Sequence, residues 1–476
     1  MKRLATAALP LLLAGCVTAS PDGGLGPAAD VARAELGQSV TKIATPEDAA
    51  AASAAVDAAL ARPLSAEDAV RVALLNNRGL QAAYNELGIS EAAYIQASLP
   101  ANPRVSISKL DGGFDLEVEK KLLVSLTSLL TLPARREIGG DRFHAAQMRA
   151  AEATLRLAAE TRRQHHRAVA ARQLVATLAE AKATTDAVAE LARKLGETGG
   201  LNKLDQARDF AFAAEVDAQL ARARLNERLE RERLTRLLGL WGRQAEFRLP
   251  AALPPLPQRL RAEREIEAQA LARRVDLQAA RLELDALAKS LGLTQATRFV
   301  RDVDLVGTSK YDRARVVNDD GSVQRETAKT RGLEIEFEIP IFDFGQARAM
   351  EAEQRYMQAA NLLAEKAVNV RSEAREAYMA WRGAWDIARH VQTRVLPLRR
   401  QIQDESLLHY SGMLADVTAL VADARARILA QAQAVETLRD FWIADADLRA
   451  ALAGGGTSGG TPSGGATQAA ADAGGH

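Results

Sequence analysis

Few residues of this 476-residue chain have the type and spacing that chemistry requires. Its one cysteine, Cys16, excludes an intramolecular disulfide and any cysteine-based zinc site. Six histidines include an adjacent pair, His165 and His166. Neighbouring helical residues point about 100° apart, so the pair cannot fill one tetrahedral site unaided, and it reads as a solvated helix face. His-Glu-x-x-His and Gly-rich phosphate-loop motifs do not occur, and there is no Gly-x-Ser-x-Gly elbow, that spacing arising only within the Gly-rich tail at Gly456 to Gly460. No catalytic residue, metal site or cofactor is therefore assigned, and the chain reads as something other than an enzyme. Trp381 and Trp385, at i and i+4, share one helix face and read as packing residues.

Cys16 gains a different meaning from its neighbours. Lys2 and Arg3 are followed by an apolar run, Leu4 to Leu13, and by Leu13-Ala14-Gly15-Cys16. This is the three-part pattern of a secretory signal, too short to span a bilayer. The ending resembles the bacterial lipobox, which implies a lipidated Cys16 carrying a diacylglycerol and an N-acyl chain. Val17 in place of Asp implies sorting to the outer membrane of a Gram-negative cell, with a lipid anchor. An ordinary signal peptide with a chance cysteine is the alternative.

The elements behind these residues are long helices. Apolar residues make up 47%, charged residues 26% and aromatics 4%, and 62 basic against 61 acidic residues leave a net charge of +1. No bulk field favours nucleic acid. The Arg-rich run Arg222 to Arg236 is interleaved with Glu227, Glu230 and Glu232, which makes it an ion-paired helix surface. No proline occurs from Ala134 to Leu249, and only Pro397 from Ile341 to Ala453. A helix from about Ala134 to Leu195, roughly 90 Å long, turns at Gly196, Gly199 and Gly200 and returns from Asn202 to Trp241. A second runs from Gln346 to Tyr410, is kinked or divided at Pro397, turns at Ser411-Gly412 and returns to Leu452.

The halves also repeat. Ala73-Leu74, Leu80-Gln81-Ala82-Ala83 and Glu86-Leu87 recur as Ala270-Leu271, Leu277-Gln278-Ala279-Ala280 and Glu283-Leu284, at a constant spacing of 197 residues. The expected organisation is a signal peptide over 1–15, a loop-like and Ala-rich lipidated tether over 16–62, and a first repeat over 63–247. A Pro-rich linker over 248–260, a second repeat over 261–453 and a disordered Gly-rich tail over 454–476 complete it. Each repeat reads helix, strand pair, long helical hairpin.

The strand pairs carry the ordered acids. Leu333, Ile335, Phe337, Ile339 and Ile341 alternate with Glu334, Glu336 and Glu338; Phe114, Leu116 and Val118 alternate with Asp115, Glu117 and Glu119. Their expected partners are Val105 to Ser108, turning at Asp111-Gly112-Gly113, and Val303 to Thr308, followed by a polar loop over 312–330. A small half-buried sheet in a soluble protein satisfies the same alternation. In a bilayer, however, four strands cannot close, because open edges cannot face lipid and the smallest barrels need about eight strands. Three copies would supply twelve, with the apolar face toward lipid and the six acids toward a watery lumen. Such a lumen favours cations, and neutral or cationic drugs.

Several short motifs, in this order, resemble the TolC family of outer-membrane efflux proteins, in its lipoprotein subgroup. They are Leu64-Ser65-Ala66-Glu67-Asp68-Ala69 with Ala73-Leu74-Leu75-Asn76-Asn77, Leu99-Pro100-Ala101-Asn102-Pro103, Leu132-Pro133-Ala134-Arg135-Arg136, and Ile339-Pro340-Ile341-Phe342-Asp343-Phe344-Gly345. The resemblance covers about residues 63–452. It implies a mainly α chain with a small β part, assembled as a homotrimer whose twelve-stranded β-barrel continues into a long α-helical coiled-coil barrel with most of its mass in the periplasm. It also implies a passive conduit of a tripartite efflux or type I secretion-like system, with a periplasmic adaptor and an inner-membrane pump as partners.

The family narrows its periplasmic mouth with acids after the second hairpin turn. Leu414-Ala415-Asp416-Val417-Thr418-Ala419 aligns there, keeping one carboxylate at Asp416 and placing Ala419 where a second often stands. Lys203 stands where the first half sometimes has an acid, so Lys203 or Arg208 could pair with Asp416 across hairpins. Asp416 reads equally as a helix N-terminal acid favoured by the macrodipole. Two other classes stay open: a periplasmic adaptor lipoprotein, which normally has one hairpin, and a structural coiled-coil lipoprotein, for which the alternating strands have no purpose.

Overall fold

The computed structural model describes residues 19–112, 115–260, 265–300, 302–317, 319, 321–339, 341–412, 414 and 417–456. Cys16, Phe114 and Asp416, with the expectations placed on them, lie outside these residues, as does the tail beyond 456. The chain packs as two units: Met1–Gly24, Asn85–Met148 and Gln278–Glu365 form one, and Leu25–Tyr84, Arg149–Leu277 and Lys366–His476 the other.

Before the first repeat come two helices, α1 (Gly26–Leu36) and α2 (Pro46–Leu60). The prolines of this segment predict broken, loop-like chain. Pro27 and Pro46 instead stand in first turns, where a missing N–H costs no helical hydrogen bond. Thr45 and Asp48 close a capping box on α2, and Val56 and Ala59 are buried in the second unit's core.

The first unit holds one antiparallel sheet of β1 (Arg104–Asp111), β2 (Leu116–Ser125), β3 (Val303–Val317) and β4 (Val323–Phe337), paired in that order. The two repeats therefore share a sheet through β2 and β3, with Leu122 opposite Gly307. The second hairpin is much longer than expected. Residues 312–330 are ladder up to Val317 and again from Val323, with Asp312 opposite Ala328; main-chain pairing continues where the apolar alternation stops.

Each repeat ties its strand pair to its long helix with an arginine. α4 (Arg78–Ala97) ends beside Arg135 in α6 (Leu132–Glu197), whose guanidinium donates to Leu99 O at 3.0 Å, Ala97 O at 3.3 Å and, in the short α5 (Leu126–Leu130), Ser128 Oγ at 3.1 Å. In the second repeat, Arg298 follows α9 (Val275–Ala296) and donates from Nε to Phe344 O at 2.8 Å, ahead of α10 (Gln346–His390). Phe344 and Gly345 are both left-handed, at φ 45° and 66°. A Cβ on Gly345 would lie 2.6 Å from Arg298 O, so this turn requires glycine.

Helical hairpins fill the second unit. α6 is 66 residues long, about 100 Å, and α7 (Lys203–Leu238) returns beside it. α10 is followed by a π-helical turn, Val391–Val395, then α11 (Leu396–Ser411) with Pro397 in its first turn, and α12 (Val417–Ala453). Pro397 thus divides the second long helix, as expected of a residue that cannot complete the α-helical ladder. Among the shorter helices, α3 (Ala66–Asn76) meets the end of α7: Asn76 Nδ2 donates to Gly239 O at 2.7 Å, and Asn77 Nδ2 to Leu237 O at 2.9 Å. One core joins Leu64, Val72, Val169, Leu234, Leu238 and Leu438; another joins Trp381, Trp385, Phe441 and Leu448 around α8 (Ile266–Arg273).

Candidate functional site

Pleating divides the sheet into two chemically distinct faces. One carries Val105, Ile107, Leu122, Val124, Leu305, Leu333, Ile335 and Phe337. Val105, Ile107, Leu333, Ile335 and Phe337 are each 58% exposed or more, and Ile339 and Ile341 continue the row beyond β4 at 63% and 59%. A contiguous apolar surface of this kind marks an interface with lipid or with another chain.

The other face carries Glu117, Glu119, Glu334 and Glu336, four of the six acids singled out, together with Asp304, Asp312 and Glu326. Asp115 and Glu338 flank the strands. Asp115 O accepts the Gly112 N–H at 2.8 Å, and the Glu338 N–H reaches Asp302 O at 3.4 Å. Unlike the expected row of bare carboxylates, this face is partly neutralised: Lys310 Nζ lies 2.9 Å from Glu117 and 3.4 Å from Asp312, and Lys121 lies 3.4 Å from Glu119.

At the hairpin turns of the second unit, Gly199 takes φ 76° and the Gly200 N–H bonds Leu195 O at 2.8 Å. Asn202 then caps α7 by accepting the Asp205 N–H at 2.9 Å. Asp205 also holds Arg208 at 2.9 Å, so Arg208 is paired within its own helix, while Lys203 is exposed in the first turn. Four residues on, Asp209 is buried, and desolvation, helped by the Asp205 charge, raises its pKa. Sequence reasoning missed two ties: Arg425 to Glu215 at 2.7 Å joins α12 to α7 of the other hairpin, and Ser406 bonds Asp423 within the second hairpin, between α11 and α12. With Arg425 and Glu215 210 residues apart, no local pattern signals their pairing.

His165 and His166 correct an expectation. They are 3% and 6% exposed rather than solvated. His165 Nε2 lies 2.7 Å from Leu64 O and so carries the proton, and the His166 ring stacks on Trp442 at 5.6 Å. Burial lowers both pKa values, that of His166 to about 3, which keeps these rings neutral. Among the described residues no group of three or more His, Cys, Asp or Glu is placed to hold a metal ion. Trp381 and Trp385 pack as expected, their Nε1 groups donating to Asp445 at 3.2 Å and Pro257 O at 2.9 Å.

Residues 267–454 match the family described as outer membrane efflux protein. No match is found among curated proteins. The fold is similar to that of CusC, described with transmembrane channel formation, at a TM-score of 0.67 and 18% identity over 81% of this chain and 91% of that one. The outer membrane protein VceC of Vibrio cholerae gives 0.66 and 18% over 82% and 96%. The MtrE outer membrane channel of Neisseria gonorrhoeae, in its open state, gives 0.65 and 17% over 81% and 88%. Among the described residues no helix is long and apolar enough to cross a membrane. In sequence over its second repeat and in fold over most of its length, this chain resembles the TolC family of outer-membrane efflux proteins, which are channels and not enzymes.

Proposed function

We propose that three copies of this chain form an outer-membrane channel that passively conducts substrates from a periplasmic adaptor and an inner-membrane pump to the exterior. The observation that carries the reading is the sheet: four antiparallel strands, with β1 and β4 as its outer strands and one face apolar and exposed. An even number of strands lets β4 of one copy meet β1 of the next antiparallel, so three copies close twelve strands and leave no edge in lipid. The exposed apolar row of β4, Leu333 to Phe337, covers about 14 Å at 3.4 Å per residue, and Ile339 and Ile341 follow it.

In this reading Cys16 is the lipid anchor, and the acids Asp115, Glu117, Glu119, Glu334, Glu336 and Glu338 line the lumen. Lys310 and Lys121 temper the resulting cation preference. Asp416 and Lys203 narrow the periplasmic mouth, with Arg208 recruited from its pair with Asp205. An exposed pair of this kind is worth at most about 1 kcal/mol, so it does not lock Arg208 in place.

Extraction of the lipidated chain from outer membrane in mild detergent tests the assembly. A heat-modifiable trimer that conducts in planar bilayers is expected; a monomer released by removing the lipid anchor alone would overturn the reading. Asp416→Ala should raise single-channel conductance and antibiotic leakage, and unchanged values remove Asp416 from the aperture. Reversal potentials showing anion selectivity reject the acidic lumen.

A further inference from the structure

Above the apolar rows, the same sheet face changes character. Following the register across β1 to β4, the row Val105, Leu122, Gly307, Leu333 is succeeded by Ile107, Lys120, Ser309, Arg331, and then by Lys109, Val118, Tyr311, Lys329. The next row is Asp111, Leu116, Arg313, Thr327, and the last, on β3 and β4 alone, sets Arg315 directly opposite Arg325. Successive rows are about 6.8 Å apart and neighbouring strands about 4.8 Å, so these cations share one patch. All seven basic residues are exposed. Asp111, the acid on this patch, lies 3.8 Å from Lys109.

The reverse face at the same level is different: it holds Glu117, Glu119, Asp312 and Glu326, with Lys310 bound to Glu117 and Asp312. The basic excess is therefore one-sided. It also carries a cost, because like charges directly opposite in a ladder repel. Anions seated on this face would relieve that repulsion. Tyr311, among the first basic rows, is a residue type that favours the boundary between apolar and wet surroundings.

We propose that this belt binds the phosphate groups of membrane lipids, holding a ring of phosphorylated headgroups around the end of the sheet that bears the β1–β2 and β3–β4 turns. The inference rests on the reading of the apolar face as lipid-facing. Lipid is the occupant because the cations continue the apolar face without a break: chains that cover Leu333 and Leu122 bring their headgroups level with Arg331, Lys120, Lys329 and Lys109. Lysine and arginine near an anionic surface each contribute enough to matter individually, and the effect is electrostatic, so salt weakens it.

The test uses the full lipidated chain in phosphatidylcholine vesicles with and without phosphatidylglycerol, with spin-labelled lipids of each class reporting which lipids contact the protein. Wild type should enrich phosphatidylglycerol over phosphatidylcholine about fivefold or more. The enrichment should fall as ionic strength rises, which needs no variant. The quadruple variant Lys109→Gln, Lys120→Gln, Lys329→Gln, Arg331→Gln should cut it by at least half, and Lys310→Gln on the reverse face should leave it intact. Insertion without enrichment, or enrichment that survives both salt and the quadruple variant, overturns the belt while leaving the channel reading in place. Loss of enrichment on adding inorganic phosphate at unchanged ionic strength would assign the patch to free phosphate and overturn the lipid assignment. Failure to insert into either vesicle overturns the lipid-facing sheet, and this inference with it.

Discussion

α6 and α10 open the two long hairpins, yet they bury their residues in different ways. From Thr161 to His166, α6 has six consecutive buried residues, all polar. Arg162 reaches Glu67 at 2.8 Å, Arg163 reaches Asp447 at 2.8 Å, Gln164 reaches Glu230 at 2.6 Å, and His165 reaches Leu64 O. α10 instead buries a single stripe, Val370, Ala374, Ala377, Trp381, Trp385 and Ala388, at helical spacing. This stretch of α6 is covered by its own chain on every side, so most of its polar groups find partners, the exceptions being Thr161 Oγ1 and the histidine Nδ1 atoms. A helix covered on one side sorts its residues by face. In the proposed trimer, the open faces of α10 are those left for neighbouring copies.

The largest expected effect is on the stripe. Trp381→Ala should cost about 3–5 kcal/mol, since it removes a large ring and leaves Asp445 without its indole donor. Met379→Ala, on the open side at 65% exposure, should change stability by less than about 0.5 kcal/mol. Chemical denaturation of the detergent-solubilised chain measures both, and equal costs would break the contrast between faces.

On α6 the corresponding substitution is Arg163→Met. It strips a 2.8 Å partner from Asp447 where both side chains are 14% exposed or less, and should cost about 3 kcal/mol. Arg382→Met on α10 loses an exposed 3.8 Å pair with Asp386 and should cost no more than about 1 kcal/mol. A smaller loss at Arg163 than at Arg382 would show that enclosure of α6 does not govern these energies.

The histidines add a pH signature confined to α6. His166 titrates near 3 when folded, against an ordinary 6.5. Between those values the unfolded chain binds a proton that the folded chain refuses, so stability is greatest above 6.5 and falls with pH by up to about 1.4 kcal/mol per unit. His166→Phe, which keeps a ring against Trp442, should reduce this slope from pH 6.5 to 5, leaving the share of His165. Parallel denaturation profiles for variant and wild type would remove the histidine from the account.

Pro397→Ala is expected to have a small effect, within about 1 kcal/mol. The π turn before it already accommodates the residue without α-helical bonding, so alanine relieves little. Loss of the turn, seen as slowed amide exchange across Val391–Val395, would sharpen the difference between an unbroken α6 and a divided α10.

The parts of the fold legible in advance were those with local physical causes. Alternation at Leu333 to Phe337 marked β4, the glycines at 196–200 marked one turn, and Pro397 marked the division of the second long helix. The length of the second hairpin was not legible, because from Ser309 to Arg315 polar residues occupy both faces and only main-chain pairing reveals the ladder. Burial of His165 and His166 was equally hidden. Helical spacing states which residues share a face, but not how many faces will be covered.

Of the candidate site, the apolar and acidic sides of the sheet could be read from a two-residue period. The basic belt could not. Lys109, Lys120, Arg313 and Arg331 come from four strands in two repeats, and only the register sets them side by side. The long helices, the turns between them and the duplication follow from local sequence, because breakers, caps and periodicity act within a few residues. Tertiary structure decided which strand lies beside which, what encloses α6, and which charges meet, because those depend on contacts between residues far apart in the chain.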